Sequence, residues 1–422
     1  MSTLKEFCSI EYGKALPERI RVPGAIPVYG SAGEVGSHTE PLYQKPLVVV
    51  GRKGNISGVH RVNGPSWVID TAYAIFPGEK LDHDFLFLFL KYHAQHLASQ
   101  DQSTAIPSLA REVLYNLEIS LPPIESQRKI TKKIWSLFEN IGAGESELAN
   151  TKHNIELYKQ SVLNAAIQGK LVRQDPNDEP ASKLLQRIRA EKEKLIQAGK
   201  LKKEKPLPPI EPSEVPFELP KEWEWTRLGE IIIKMQNGVS ATPDGDLSHS
   251  PILRISANRP FCLNIDDRRY VREKDDEFNS YTLSAGDLVF TRFNGNRDLV
   301  GCCSVVPEIK GRLLYPDKLI RVRAASLVSE QFIAIAANTV TLRNTIFGQI
   351  KTTSGNWGIS GSDLKNMLIP LPPVREQYNI AVSAFKQLDA LSNALPEITE
   401  HLALAERLKQ SILHAAFQGN LA

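Results

Sequence analysis

A chain of 422 residues, 42% hydrophobic and 23% charged, has the composition of an ordinary globular protein of roughly two to four domains. Its formal net charge of +3 does not argue for nucleic acid by itself, so any such argument must come from local patches. No run of about 18 apolar residues marks a membrane span, the start MSTLKEFCSIEYGK lacks the basic-then-apolar pattern of a leader peptide, and a cytoplasmic location away from membranes is expected.

Residues 1–120 carry short apolar runs punctuated by Gly, Pro, Asn and Ser. LVVVGRKGNISGVHRV, residues 47–62, predicts two strands around a Gly-rich turn. DHDFLFLFLKYHAQH, residues 82–96, predicts a buried helix. Cys8, Cys262, Cys302 and Cys303 form no CxxC pair and have no His at metal spacing, so buried free thiols are expected rather than a disulfide or zinc framework.

Residues 121–172 change to a helical period. Ile130, Ile134, Leu137, Ile141, Gly144, Leu148, Thr151, Ile155, Tyr158, Val162 and Ala165 alternate by four and three, a heptad seam. Pro122 and Pro123 sit where a helix start tolerates proline, and Gly169 where a C-terminal cap belongs. Such a helix of about 45 residues spans roughly 65–70 Å. Residues 173–221 read as a linker. Its basic stretch, 182–205, has a thin apolar edge of Leu184, Ile188 and Leu195, and a Pro-rich run follows. Residues 222–368 form a second mixed region with strand-like runs, and residues 369–422 a second long helix. Pro396 in that helix, and Gly142-Ala143-Gly144 near the same place in the first, predict a bend or break in each.

The second half repeats the first. LPPIESQRKI at 121–130 returns as LPPVREQYNI at 371–380, and SVLNAAIQGKL at 161–171 as SILHAAFQGNL at 411–421, both at an offset of 250. RLGEIIIKMQNGVS, from 227, lies over TLKEFCSIEYGKAL, from 3, with Leu228 on Leu4 and Gly238 within a residue of Gly13. The repeating unit is a globular region followed by a long helix.

Enzyme signatures are missing: no GxGxxG, no GxxxxGK followed by Ser or Thr, no GxSxG, no HExxH, and no His-x-Glu with CxxC. The PPI and PPV runs lack the flanks of a methyltransferase tetrad, and Asp266-Asp267 and Asp275-Asp276-Glu277 read as solvated surface charge. No catalytic residue, metal ligand or cofactor is therefore assigned. The positive signal is a pair of loops after equivalent strands, one with Arg52, Lys53 and Asn55, the other with Arg292, Asn294 and Asn296. Arg and Lys pair with phosphates or guanine edges and Asn with adenine edges, while nearby glycines let a backbone approach closely. Weaker candidates are Tyr29 and Ser31 beside Gly30, Arg254 and Ser256 on one expected strand face, and Lys351, Thr352 and Ser354 ahead of the second helix. Ser103 and Thr104 stand at the corresponding place ahead of the first.

These residues give the chain a resemblance to the specificity (S) subunit of type I restriction-modification systems. LPPIESQ, LPPVREQ, LNAAIQGKLV, LHAAFQGNLA, VVVGRKGNISG and LVFTRFNGNRDLVG carry it across nearly all of the chain. The resemblance implies an α+β fold. Two mixed α/β target-recognition domains (1–120 and 222–368) would be joined by two long antiparallel helices (121–172 and 369–422) in a pseudo-two-fold, circular arrangement. Each domain would read half of a split site on double-stranded DNA. The helices would act as spacers and dock two methyltransferase (modification) subunits, with restriction subunits in the full complex. By the same resemblance Pro122, Pro123, Gln127, Pro372, Pro373 and Gln377 are candidate docking residues, although Ser126 stands where Glu376 keeps the expected acid. The competing reading is a coiled-coil scaffold without a DNA role. A helical spacer makes a sharp prediction: deleting four residues from a helix interior changes the half-site spacing in the methylated motif and leaves both half-site sequences alone. Motif mapping with unchanged spacing would refute it.

Overall fold

The computed structural model describes residues 2–99, 106–273, 278–353 and 355–420. The chain forms two compact units, residues 1–151 with 396–422, and residues 152–395.

In the first unit the strands are β1 (Ser2–Thr3), β2 (Cys8–Tyr12), β3 (Ile26–Gly30), β4 (Gly33–His38), β5 (Leu47–Gly51), β6 (Val59–Val62), β7 (Trp67–Val68) and β8 (Ala72–Pro77). Helices α1 (His83–Ser99) and α2 (Arg111–Tyr115), strand β9 (Glu118–Ile119) and the long helix α3 (Ile124–Ile167) follow. The main sheet is antiparallel in the order β2-β8-β5-β6, β4-β3-β7 forms a second sheet, and β1 pairs with β9. Strand alternation explains the buried run in β5: Val48 and Val50 face the cluster built on α1, while Leu47 and Val49 face a smaller one with Val68 and Ala74. The run 47–62 is thus the expected hairpin, and 82–96 the expected helix, with Phe85 to Leu90 all buried.

The second unit opens with α4 (Ala181–Gln197), then β10 (Glu224–Arg227), β11 (Ile232–Asn237), β12 (Ser250–Leu253), β13 (Asn258–Arg259), β14 (Cys262–Leu263) and β15 (Arg268–Val271). Next come β16 (Leu288–Thr291), β17 (Phe293–Asn294), β18 (Cys303–Val305), β19 (Leu319–Ala324), α5 (Glu330–Asn338) and α6 (Val340–Phe347). Strands β20 (Lys351–Thr353) and β21 (Asn356–Gly358), helix α7 (Gly361–Lys365) and strand β22 (Leu368–Leu371) follow, and helix α8 (Val374–Phe417) begins in this unit. Its main sheet, β11-β19-β16-β18, repeats the order of the first unit, and β10–β22 repeats β1–β9. The one-residue slip between Gly13 and Gly238 has a physical cause, a β-bulge between Ile232 and Lys234.

Four expectations need correction. Neither long helix breaks: α3 runs through Gly142 and Gly144, and α8 through Pro396. A proline removes one hydrogen bond from such a helix, and the remaining main-chain bonds keep the helical path. The heptad seam is buried only in places, at Ile134, Val162, Ile380, Ala384 and Ile398, whereas Tyr158 and Leu408 are about half exposed at 53% and 48%. The segment 173–221 is not a free linker throughout, because Ala181, Leu184, Leu185 and Ile188 of α4 enter the second unit's core. Among the cysteines Cys302 and Cys303 are buried, but Cys8 is only partly so and Cys262 is exposed.

Helix α3 starts in the first unit and ends in the second, and α8 does the reverse. Gly169, at φ +68°, closes α3 as a C-terminal cap should. No helix among the described residues is long and apolar enough to cross a membrane.

Gly13 and Gly238 end equivalent strands. A Cβ on Gly13 would meet the Ile69 carbonyl at 2.0 Å, and one on Gly238 the Pro316 carbonyl at 2.2 Å. Gly13→Ala and Gly238→Ala are each expected to cost about 1–3 kcal/mol, the range of overpacking, read as a lower midpoint in thermal or denaturant unfolding. An unchanged midpoint would show that the strand end can move.

Candidate nucleic-acid interface

The two basic loops hang on the same main-chain frame. In the first unit the N–H groups of Arg52 and Lys53 both donate to the Thr71 carbonyl, at 2.9 and 3.0 Å, and Leu109 N–H donates to the Arg52 carbonyl at 2.9 Å. In the second, Arg292 and Phe293 N–H both donate to the Lys318 carbonyl, at 2.8 and 3.2 Å, and Ile359 N–H donates to the Arg292 carbonyl at 3.0 Å. The side chains agree in their carbonyl partner, while each ring comes from a different position. Arg52 lies 5.2 Å from the Tyr12 ring centre and donates from Nη1 to the Asp70 carbonyl at 2.9 Å. Arg292 lies 4.7 Å from the Phe293 ring centre and donates from Nη1 to the Asp317 carbonyl at 3.3 Å. Each guanidinium is oriented by an aromatic face and one carbonyl, and no carboxylate neutralises it in these contacts.

Around the first loop, Ser31 in the β3–β4 turn approaches so closely that a Cβ on Gly58 would sit 2.1 Å from its carbonyl. Ser31, Arg52, Lys53 and Asn55 therefore share one surface, with Lys53 and Asn55 exposed. Asn55 Oδ1 accepts from Ser57 Oγ at 2.9 Å. Tyr29 is different. It packs partly into the cluster around Leu47 and Val49, and burial, with Glu34 nearby, pushes its phenol up. Ser103 and Thr104 lie outside the described residues.

Around the second loop the structure joins two separately read segments. Strand β17 pairs with β21, and β21 with β20, so Asn294 stands opposite Trp357, and Lys351 and Thr352 lie on the same small sheet. Ser354 lies outside the described residues. Asn294 Oδ1 accepts from Asn296 N–H, and Asn296 Oδ1 from Asp298 N–H, both at 2.9 Å, so these oxygens shape the loop. Arg254 and Ser256 do not share a strand face as expected. Strand β12 ends at Leu253, and Arg254 begins a short 3-10 turn that holds Ser256. Asp267 holds both: it carries the Arg254 Nε at 3.5 Å and accepts the Ser256 hydroxyl. It is not bare solvated charge, as expected from sequence, and Asp275 to Glu277 lie outside the described residues. A cleft of about 780 Å³ lies between this turn and β17, lined by Arg254, Ser256, Arg259, Arg269, Asn294, Lys318 and Asn356 together with apolar side chains.

Several of these groups escaped the sequence reading. Tyr12 is half exposed at 49% and flanked by Arg52 and Arg111, 5.2 and 5.1 Å from its ring centre. Phe293 is flanked likewise by Arg292 and Lys318. Arg259 and Arg269 fall where the two halves do not match, so recurrence could not mark them. The aromatic-basic alternation in TRFNGNR was the one available signal. Among the described residues no group of three or more His, Cys, Asp or Glu is placed to hold a metal ion.

The candidate docking residues are largely internal. Gln127 and Gln377 are fully buried. Gln127 Oε1 accepts from Asp82 N–H at 2.8 Å, and its Nε2 donates to the Pro122 and Lys80 carbonyls. Gln377 Oε1 accepts from Ser329 N–H at 2.8 Å, and its Nε2 donates to the Pro372 carbonyl. Pro372 and Pro373 are buried as well, Pro122 is partly so, and Pro123 is exposed. The neighbouring position differs between the repeats: Glu376 is buried, accepts from Trp223 Nε1 at 2.9 Å, and its carboxyl is pushed up by burial, whereas Ser126 offers no such acid.

Residues 1–157 match the family of the type I restriction modification DNA specificity domain. The chain is 30% identical over 307 residues to the type I restriction enzyme EcoKI specificity subunit of Escherichia coli (strain K12), covering 72% of this chain and 58% of that protein. It is 34% identical over 277 residues to the EcoEI specificity subunit of Escherichia coli, covering 63% and 46%. The chain thus spans about half the length of these curated relatives. A solved structure, from work on complex assembly and conformational transition of the type I R-M system, matches at a TM-score of 0.65 with 18% identity, over 99% of this chain and 97% of that one. That match fixes the fold: mixed helix-and-strand regions joined by long helices. The chain belongs to the type I restriction-modification specificity subunits.

Gln127→Ala or Gln377→Ala leaves buried backbone groups without partners and is expected to destabilise its own unit by about 1–3 kcal/mol. Denaturant unfolding checks this, and no shift would mean that water takes over the lost bonds.

Proposed function

We propose that the chain is the non-catalytic DNA-reading subunit of a type I restriction-modification assembly. The recognition regions 1–120 and 222–368 each grip one half of a bipartite double-stranded site. Helices α3 and α8 set the spacing and dock two methyltransferase subunits, and restriction subunits join the full complex. The EcoKI and EcoEI relatives are named as specificity subunits of restriction enzymes, which supports this assignment.

The observation that carries it is the repeated frame around Arg52 and Arg292. Two units that hold a guanidinium in the same way fit a polyanion with two equivalent places to be gripped, and duplex DNA is one. Half-sites one helical turn apart are about 34 Å apart, which a helix of 44 residues, at about 1.5 Å per residue, exceeds.

Docking shifts away from the buried glutamines. Val374, Tyr378 and Val382 are exposed at four-residue intervals on the first turns of α8, at 37%, 68% and 52%. Their counterparts on α3 are Ile124, Arg128 and Lys132. We assign the apolar stripe to one methyltransferase contact and expect the other contact, at the start of α3, to be more polar.

The test is purification of the chain co-expressed with its neighbouring genes, identification of partners by mass spectrometry, and mapping of methylated sites. A methyltransferase partner and a bipartite methylated motif are expected, and Arg52→Ala with Arg292→Ala should abolish DNA binding. Catalysis by the pure chain with added cofactors would sink the non-catalytic assignment. An assembly that binds no DNA would favour the scaffold reading.

A further inference from the structure

The two units share a frame and differ most in one segment. Between β2 and β5 the first unit places residues 13–46, with the β3–β4 hairpin and β3 running parallel to β7. Between β11 and β16 the second places residues 238–287, with two antiparallel ribbons, β12–β15 and β13–β14. The flanking strands keep the same order and the same main-chain bonds, while the enclosed segments share neither length nor pairing.

A contact made identically in both units cannot distinguish one half-site from the other. Such a contact suits what all DNA offers, phosphate charge. Base information must then come from groups that the units do not share.

In the second unit the divergent segment supplies one wall of the 780 Å³ cleft, through Arg254, Ser256, Arg259 and Arg269. Arg254 is pre-set for reading. Its N–H donates to the Asp267 carbonyl at 2.9 Å, its Nε lies 3.5 Å from the Asp267 carboxylate, and its side chain is about half exposed at 49%. A side chain fixed before binding loses little entropy on contact, which favours selective recognition. Arg269 stands opposite Ile252 on the β12–β15 ribbon and is exposed. A two-stranded ribbon fits the major groove, and arginine there most often takes the O6 and N7 of guanine.

We propose that Arg254 and Arg269 read base edges, guanine among them, in the half-site held by the second unit, while Arg52 and Arg292 hold phosphates in both units. The assignment rests on the DNA-reading function proposed above. It divides the basic residues into those that set sequence and those that set affinity.

The experiment uses the assembly with its methyltransferase subunits. Binding is measured over a salt series on DNA carrying the methylated motif and on a panel of single-base variants. Arg254→Ala or Arg269→Ala should reduce discrimination at one position of one half-site by roughly 5- to 150-fold, with the other half-site untouched. Arg269→Lys should not restore it, because lysine lacks the bidentate fork. Arg292→Ala should weaken binding to every sequence alike and lower the salt slope by about 1, and Arg292→Lys should recover most of the affinity. Base preferences altered by Arg292→Ala, or unaltered by both Arg254→Ala and Arg269→Ala, would overturn the division. A wild-type assembly with no DNA binding at any salt would remove the function itself, and this assignment with it.

Discussion

A buried primary amide must find partners for its oxygen and its nitrogen, and Gln127 and Gln377 find partners for both at the same place in each repeat. The oxygen accepts from the residue just ahead of α1 or α5, and the nitrogen donates to a proline carbonyl of the LPP turn. Asp82 and Ser329, the two donors, also accept first-turn N–H bonds of the helices they precede. One side chain therefore locks the start of each long helix to the start of the short helix that packs on a recognition sheet. Proline before the glutamine fits this arrangement, since it supplies a carbonyl without adding an orphan N–H at the helix start. The sheet, the loop at its strand end and the guanidinium on that loop all take their position from this joint.

The frame above the joint is duplicated down to single bonds. Leu4 N–H donates to Leu117 and Leu228 N–H to Met367, and Gly13 N–H donates to Ala72 and Gly238 N–H to Leu319. A bulge in β11 is absorbed without changing strand order. Divergence is greatest in the segment between the first strand of each sheet and its central strand, and the second unit's version adds its own buried residues, Leu253, Ala257 and Leu263, beside Val289 and Leu319. Buried strands such as β5 and β16 pack on both faces, so residues there are fixed by volume. The exposed positions of the loops and ribbons at the strand ends carry no such burden and can vary.

Periodicity and recurrence made much of this legible from sequence. The hairpin of residues 47–62, the buried helix α1 and both long helices followed from spacing alone, because alternation and heptads are direct consequences of strand and helix geometry. The equivalence of Arg52 and Arg292 followed from recurrence. Four things did not follow. Gln127 and Gln377 recur as strongly as the basic loops do, and recurrence cannot distinguish a buried lock from an exposed dock. Pro396 predicted a bend or break, but the loss of one hydrogen bond leaves the rest of the helix's main-chain bonds in place and α8 runs through it. Helix α4 looked like a linker because five lysines and arginines, four of them exposed, accompany its four core residues. Arg259, Arg269 and the Asp267 clamp sit where the halves diverge, and only the tertiary fold brings them beside β17.

Near-neutral composition and a polyanionic partner are compatible once charge is considered locally. At physiological salt exposed charges are screened beyond about 8 Å, so the sum over 422 residues says little about the potential in one cleft. Arg254, Arg259, Arg269 and Lys318 line the second unit's cleft, and among the described residues that line it there is no carboxylate. Asp267 lies just behind, where it orients Arg254. The frame arginines are held by backbone carbonyls of Asp70 and Asp317 and by ring faces, contacts that direct a guanidinium while leaving its full charge in place. On the proposed reading, a chain built this way would draw DNA only weakly from a distance and discriminate at contact, its selectivity depending on oriented side chains more than on long-range attraction.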